Sequence, residues 1–302
     1  MSRSVTASPV IPAPDFGAAL ELLKPITWFP PMWAFGCGIV SASANALPHW
    51  WLVLLGVALC GPLVCGTSQA VNDWFDREVD ALNEPSRPIP SGRMPGRWGL
   101  YIAIGWTLLS ACVALAFGTF GFFAALAGLL LAWLYSAPPI RLKRNGWWGN
   151  AAVAACYEGL PWVTGVTVVT QAVPDHHAFL AAALYSVGAH GIMTLNDFKS
   201  VAGDRQMGVG SLPVRLGVER AARLACWTMA VPQLVMVGAL LHWQRPGYAI
   251  GVWLLLVGQL LLMRRLLLRP RELAPWYNGT GIMLYVLGML LTAIALRPLL
   301  AA

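Results

Sequence analysis

Charge is what this sequence has least of. Lys, Arg, Asp and Glu make up 11% of its 302 residues while hydrophobic residues make up 58%, and the mean hydropathy is +0.63. That balance excludes an ordinary water-soluble domain, in which about a quarter of residues are charged. Cysteine is sparse too: the six residues, Cys37, Cys60, Cys65, Cys112, Cys156 and Cys226, form no CxxC pair and have no histidine at ligand spacing. They imply neither a disulfide framework nor a thiolate metal site, and are expected as small buried apolar residues. Residues 1–22 carry a single basic residue, Arg3, and lack the apolar core of a signal segment, so a disordered N-terminal tail is expected there. No soluble module joins a basic face to stacking aromatics, which excludes a nucleic-acid partner in spite of a pI near 9.3.

What the chain has instead is a series of apolar runs, 26–46, 50–71, 98–117, 119–137, 150–171, 178–196, 222–242, 248–266 and 279–296. Each is long enough to cross a hydrocarbon layer at 1.5 Å per residue. The expected fold is therefore all-α and polytopic, with nine transmembrane helices around a central cavity in one domain, residues 23–302. If nine runs alternate in direction, 18 of the 20 Lys and Arg residues fall on one side, leaving Arg245 and Arg297 on the other. By the positive-inside rule the N-terminus is then cytoplasmic, and the high pI records topology. The loop after the second run, held by Pro85, Pro88, Pro90 and Pro95, and the one after the sixth, with Gly208, Gly210 and Pro213, are expected to cap the cytoplasmic opening.

The chain's chemistry gathers where the second run ends, at Asn72-Asp73-Trp74-Phe75-Asp76-Arg77-Glu78-Val79-Asp80. Continued as a helix, this places Asn72, Asp76 and Asp80 on one face, with Asp73 at its edge. Unpaired carboxylates this close repel, and hard oxygens at this spacing suit Mg2+. A wet helix end whose acids answer neighbouring arginines is the plainer alternative. A second copy follows the sixth run: Asn196-Asp197, with Asp204 eight residues after the asparagine and Lys199 and Arg205 flanking. Two copies in equivalent topological places suggest an internal parallel repeat whose acidic ends share one cavity. Between them lies a short basic stretch, Arg141-Leu142-Lys143-Arg144, after Pro138-Pro139. Glu158 stands in an apolar run. It is a functional candidate by the cost of embedding an acid in a membrane, with a structural hydrogen bond between helices as the alternative.

Acidic clusters, adjacent cations and an apolar cavity fit a phosphate-bearing substrate with a long apolar tail. This predicts transfer of a prenyl group from its diphosphate, with the allylic cation shielded from water until an acceptor captures it. A cation or solute transporter would place its acids near midplane, whereas here they gather at one end.

The chain also resembles the UbiA-type intramembrane prenyltransferases and, among them, the chlorophyll and bacteriochlorophyll synthase branch. The resemblance rests on NDWFDREVDALNEPSRPIPSG at 72–92, YSAPPIRLKRNGWWGN at 135–150, GVGSLPVRLG at 208–217 and LLKPITWFPPMWAFGCG at 22–38. The broad pattern N-D-x-x-D-x-x-x-D is met by Asn72, Asp73, Asp76 and Asp80. The second motif departs from it, with Ser200 where the broad family has Asp; Asn-Asp-Phe-Lys-Ser is the form of the pigment-esterifying branch. The resemblance implies that Asn72, Asp76, Asp80, Asp197 and Asp204 hold a Mg2+–diphosphate, with Asp73 and Asn196 as further metal ligands. It also implies that Arg141 and Lys143 contact the phosphates, with Tyr135, Lys199 and Arg205 alongside. The reaction implied is esterification of the propionate of bacteriochlorophyllide a by geranylgeranyl or phytyl diphosphate, in the bacterial inner membrane beside other pigment-pathway membrane proteins. Chlorophyllide a as acceptor, or a quinone or haem prenyltransferase, are the alternatives. A propionate is already an anion at neutral pH, so this chemistry needs no histidine–acid general base.

Overall fold

In the computed structural model, residues 13–42 and 46–297 are described. Every regular element among them is helical, and the only backbone bridge joins Asn145 to Gly210. In order these are α1 (Phe16–Leu23), α2 (Phe29–Ser41), α3 (Trp50–Ala58), α4 (Gly66–Asn83), α5 (Trp98–Ala114), α6 (Gly118–Ser136) and α7 (Gly146–Ala154). There follow α8 (Leu160–Thr170), α9 (His176–Asn196), α10 (Val201–Gln206), α11 (Leu212–Leu216), α12 (Val218–His242), α13 (Pro246–Leu266) and α14 (Pro270–Leu296). Two π-helical segments, Leu59–Cys65 and Ala155–Gly159, join α3 to α4 and α7 to α8 without a break. In the first, Pro62 removes a donor and crowds the preceding turn, and the wider π turn absorbs it.

Seven helical stretches among the described residues are long and apolar enough to cross a membrane, which makes this a multi-pass membrane protein. One of them, Trp98–Ser136, is a hairpin. Trp133 Nε1 donates to Thr107 Oγ1 at 3.0 Å across 26 residues, which would lie about 39 Å apart in a straight helix. The chain reverses at Leu115–Phe117 and Gly118, whose φ is +66°. The first expected crossing, 26–46, appears as α2, whose 13 residues span about 20 Å; positions 43–45 lie outside the described residues. Of the expected tail, residues 1–12 also lie outside them. The remainder is not disordered: Asp15 caps α1 by accepting from Ala18 N at 2.9 Å, and Ala18 and Leu22 are buried.

Large apolar side chains such as Leu54, Leu130, Trp227 and Leu254 point outward, as a lipid-facing surface requires. The interior is closed by small residues and paired polar groups. At the crossing of α2 and α8, a Cβ on Gly38 would meet Trp162 O at 2.1 Å and one on Gly165 would meet Phe35 O at 2.2 Å. Only glycine permits that approach. Gln233 of α12 and Gln259 of α13 exchange amide hydrogen bonds at 3.2 and 2.8 Å, satisfying each other where water is absent.

Candidate active site

The first acidic motif lies entirely on α4, which continues through Asn83, so Asn72, Asp76 and Asp80 do share one helical face. Opposite them the chain after α6 turns sharply: Arg141 adopts a left-handed conformation (φ 43°), a strained state for a non-glycine residue. That turn sends two cations back to α4. Lys143 Nζ donates to both oxygens of Asp76 at 2.6 Å and to Asn72 Oδ1 at 3.1 Å. Arg141 Nη2 donates to Asp76 Oδ1 at 3.1 Å, and Ser136 Oγ to Asn72 Oδ1 at 3.2 Å. Burial pulls the Lys143 ammonium below the usual lysine range, and Asp76 opposes that shift.

The second motif is built differently. α9 stops at Asn196, a 3-10 turn covers Asp197–Lys199, and α10 begins at Val201, so Asp197 and Asp204 are not on one continuous α-helix. Their partners are neutral. Asn150 Nδ2 donates to Asp197 Oδ2 at 3.2 Å, and Ser200 Oγ and Ser211 Oγ donate to Asp204 Oδ2 at 3.0 and 2.6 Å. Ser200, where the broad pattern has an acid, thus positions the acid that follows. Asn196 Oδ1 accepts from Asn278 Nδ2 of α14 at 2.6 Å.

Both motifs open onto one cavity of about 620 Å³, lined by Asn72, Asp76, Arg141, Lys143, Asp197, Lys199 and Asp204 among others. Beneath it is a chamber of about 260 Å³ that shares Asn72, Tyr135, Asn150, Asp197, Lys199 and Ser200 with it and includes Asn196. Its deeper wall is apolar and comes largely from the two π segments and their neighbours: Cys60, Val64, Cys65, Cys156 and Tyr157. Loop closure above depends on a near contact. Gly146 N donates to Gly210 O at 2.9 Å, and a Cβ on Gly146 would lie 2.5 Å from Leu212 N.

Three expected site residues stand outside this lining. Asp73, one residue and so about 100° round the helix from Asn72, is 2% exposed and faces Lys24 (Nζ at 2.7 Å) and Arg87 (Nη1 at 3.5 Å). Asp80, one turn beyond Asp76, accepts from Arg87 Nη1 at 2.7 Å. Arg205 is exposed at the surface. Sequence reasoning did not single out Lys24, Arg87, Ser136, Asn150 or Ser211 as partners of the acids. All five lie in the stretches that carry the family resemblance, which was the available signal; Asn278 had none.

A cavity with carboxylates and fixed cations at its mouth and an apolar chamber below can hold a diphosphate and its hydrocarbon tail. Residues 28–286 match the UbiA prenyltransferase family, and the chain belongs to it; it is a prenyltransferase. It is 57% identical over 286 residues to the bacteriochlorophyll synthase 33 kDa chain of Cereibacter sphaeroides, covering 95% of each. It is 46% identical to the 34 kDa chain of Chloroflexus aurantiacus (92% of this chain, 89% of that one). With the chloroplastic chlorophyll synthase of Oryza sativa identity falls to 38%, over 91% of this chain and 76% of that one. The structure of a UbiA homologue from Archaeoglobus fulgidus bound to DMAPP and Mg2+ superposes with a TM-score of 0.71 at 21% identity, covering 90% of this chain and 99% of that one.

Proposed function

We propose that this protein transfers a geranylgeranyl or phytyl group from its diphosphate to the propionate carboxylate of bacteriochlorophyllide a, releasing diphosphate. The observation that carries the reading is the two-part cavity, ionic at the mouth and apolar below, with Tyr135 and Asn72 lining both parts. The names of the more similar relatives support the acceptor.

The donor set fits Mg2+. It is all oxygen, and Asp197 and Asp204 carry neutral hydrogen-bond partners with no cation within 4 Å among the described residues. Asn72, Asp76, Asp197 and Asp204, which line the cavity, would hold it, whereas Asp80 stands outside the lining and is answered by Arg87. Bound there, Mg2+ supplies positive charge that stabilises the departing diphosphate. Lys143, Arg141 and Lys199 bind outer phosphate oxygens, Lys143 leaving Asp76 to do so. Ser200, Ser211 and Asn150 keep the rear carboxylates oriented. The apolar chamber keeps water from the allylic cation while the propionate, already ionised, attacks C1 and the C1–O bond breaks.

The topology that accommodates this is nine crossings in one domain that also takes in α1, in the bacterial inner membrane. The N-terminus and the loops after α4 and α9 lie on the cytoplasmic side. The charge asymmetry and the α5–α6 hairpin support it. The test is to incubate the purified protein with Mg2+, geranylgeranyl diphosphate and, separately, bacteriochlorophyllide a, chlorophyllide a and an aromatic quinone precursor, identifying products by mass. A bacteriochlorophyllide ester is expected. An ester from chlorophyllide alone, or a C-prenylated aromatic, overturns the reading.

A further inference from the structure

Glu158 belongs to neither acidic cluster. It lies on the π segment Ala155–Gly159 with 5% of its surface exposed, and its Oε2 has no hydrogen-bond partner among the described residues. The structural reading of an acid embedded in a membrane is a hydrogen bond between helices, and that atom makes none. It faces a separate apolar chamber of about 80 Å³, walled by Phe29 and Trp33 of α2, Ile192 of α9 and Val286 of α14. The two aromatic rings stack at 5.7 Å. Tyr157 and Met193 line both this chamber and the one beneath the diphosphate site, so a single layer of side chains separates Glu158 from the transfer cavity.

An apolar side chain would fill this position without leaving a polar atom unsatisfied, so packing does not explain the acid. The chamber holds on the order of five water-sized groups, at about 15 Å³ each. That is far below a macrocycle and suits one small substituent on its edge. No basic side chain lines it, and an uncompensated anion is the costlier form in such surroundings. The neutral carboxylic acid has one hydrogen to donate, and its natural acceptor in an aromatic-walled chamber is a carbonyl oxygen.

Resting on the acceptor proposed above, we infer that the Glu158 chamber is a specificity subsite for a small carbonyl substituent on the macrocycle edge. Glu158 donates a hydrogen bond to its oxygen. Bacteriochlorophyllide a carries such a group, an acetyl, where chlorophyllide a carries a vinyl. A site built to donate that hydrogen bond discriminates against the analogue that cannot accept it.

The experiment uses the full chain in detergent with two bacteriochlorin acceptors, bacteriochlorophyllide a and its analogue with vinyl in place of acetyl at that carbon. Wild type is expected to show a higher kcat/KM for the acetyl acceptor. Glu158→Gln, whose amide N–H can still donate, retains most of that preference. Glu158→Leu lowers kcat/KM for the acetyl acceptor about tenfold or more and leaves the vinyl acceptor unchanged or improved. Binding of Mg2+ with a non-ionising geranylgeranyl diphosphate analogue, expected to be normal in both variants, verifies the fold. If Glu158→Leu changes both acceptors alike while analogue binding is normal, the subsite assignment is overturned. It is also overturned if that variant loses analogue binding or fails to fold, since the acid then serves the scaffold. If wild type esterifies neither bacteriochlorin, the acceptor class itself is wrong and the subsite falls with it.

Discussion

Removing Lys143 tests the site most sharply, because the structure gives two measurable constants opposite signs. Its ammonium sits 2.6 Å from each oxygen of Asp76, with only 13% of the side chain exposed. At an effective dielectric of about 20 the gross attraction at that distance is about 6 kcal/mol, much of it offset by desolvation of both ions. On the proposed reading Lys143 exchanges one anion for another when diphosphate binds, and a charge-assisted hydrogen bond contributes about 1.5–3 kcal/mol. Lys143→Ala should therefore raise the KM for prenyl diphosphate about 10- to 100-fold. Arg141, still 3.1 Å from Asp76, holds the effect toward the lower figure. The same change frees Asp76 from its nearest cation, so Mg2+ measured without diphosphate should bind more tightly, not less. Calorimetric titration of purified wild type and variant with Mg2+ alone, then with a non-ionising diphosphate analogue, reads both constants. Unchanged diphosphate affinity, or weaker Mg2+ binding in a folded variant, would refute the placement of Lys143 between the two.

Asp76→Asn should lower turnover by about 10²-fold or more while the protein inserts and elutes like wild type; near-normal turnover at saturating Mg2+ and diphosphate rejects Asp76 as a ligand. Ser200→Ala and Ser211→Ala each remove a hydroxyl donor to the Asp204 carboxylate, a charge-assisted hydrogen bond of about 1.5–3 kcal/mol, so half-saturating Mg2+ should rise about tenfold or more singly and further together. A double variant indistinguishable from wild type removes Asp204 from the site. Cys156 lines the apolar chamber whereas Cys112 is exposed on α5. Geranylgeranyl diphosphate with Mg2+ should therefore slow maleimide labelling of Cys156 but not of Cys112, as read by peptide mass; equal slowing at both, or at neither, places the tail elsewhere.

The fold was legible where length and hydropathy carry it and less so where the helices bend. Runs of apolar residues located the membrane helices, and the Gly118 region marked the α5–α6 reversal. The two π segments carry no clear local signal. Leu59–Cys65 contains Pro62, which a helix interior disfavours, but Ala155–Gly159 is unremarkable until its turn is seen to widen toward the cavity. α1 was missed because eight residues after a proline-rich stretch have little helix signal of their own. Its stability comes from the Asp15 cap and from burying Ala18 and Leu22.

The site was legible in its acids and not in their pairing, for a physical reason. Spacing along α4 states which carboxylates share a face, but the partner of each is set by turns elsewhere, above all the left-handed Arg141 and Lys24. Those turns divide the labour. Asp73 and Asp80 are answered by Lys24 and Arg87, and Asp76 by Lys143 and Arg141, whereas among the described residues Asp197 and Asp204 receive only amide and hydroxyl donors. The cavity lining carries four cations, Arg141, Lys143, Arg144 and Lys199, against four acids, Asp76, Glu84, Asp197 and Asp204. A diphosphate alone would add several negative charges to a balanced cavity and meet repulsion from the rear carboxylates. A diphosphate carrying divalent metal approaches those two acids with the opposite sign, while the front cations remain available for its outer oxygens. The asymmetry between the halves of the repeat therefore favours metal and diphosphate binding together over either one alone.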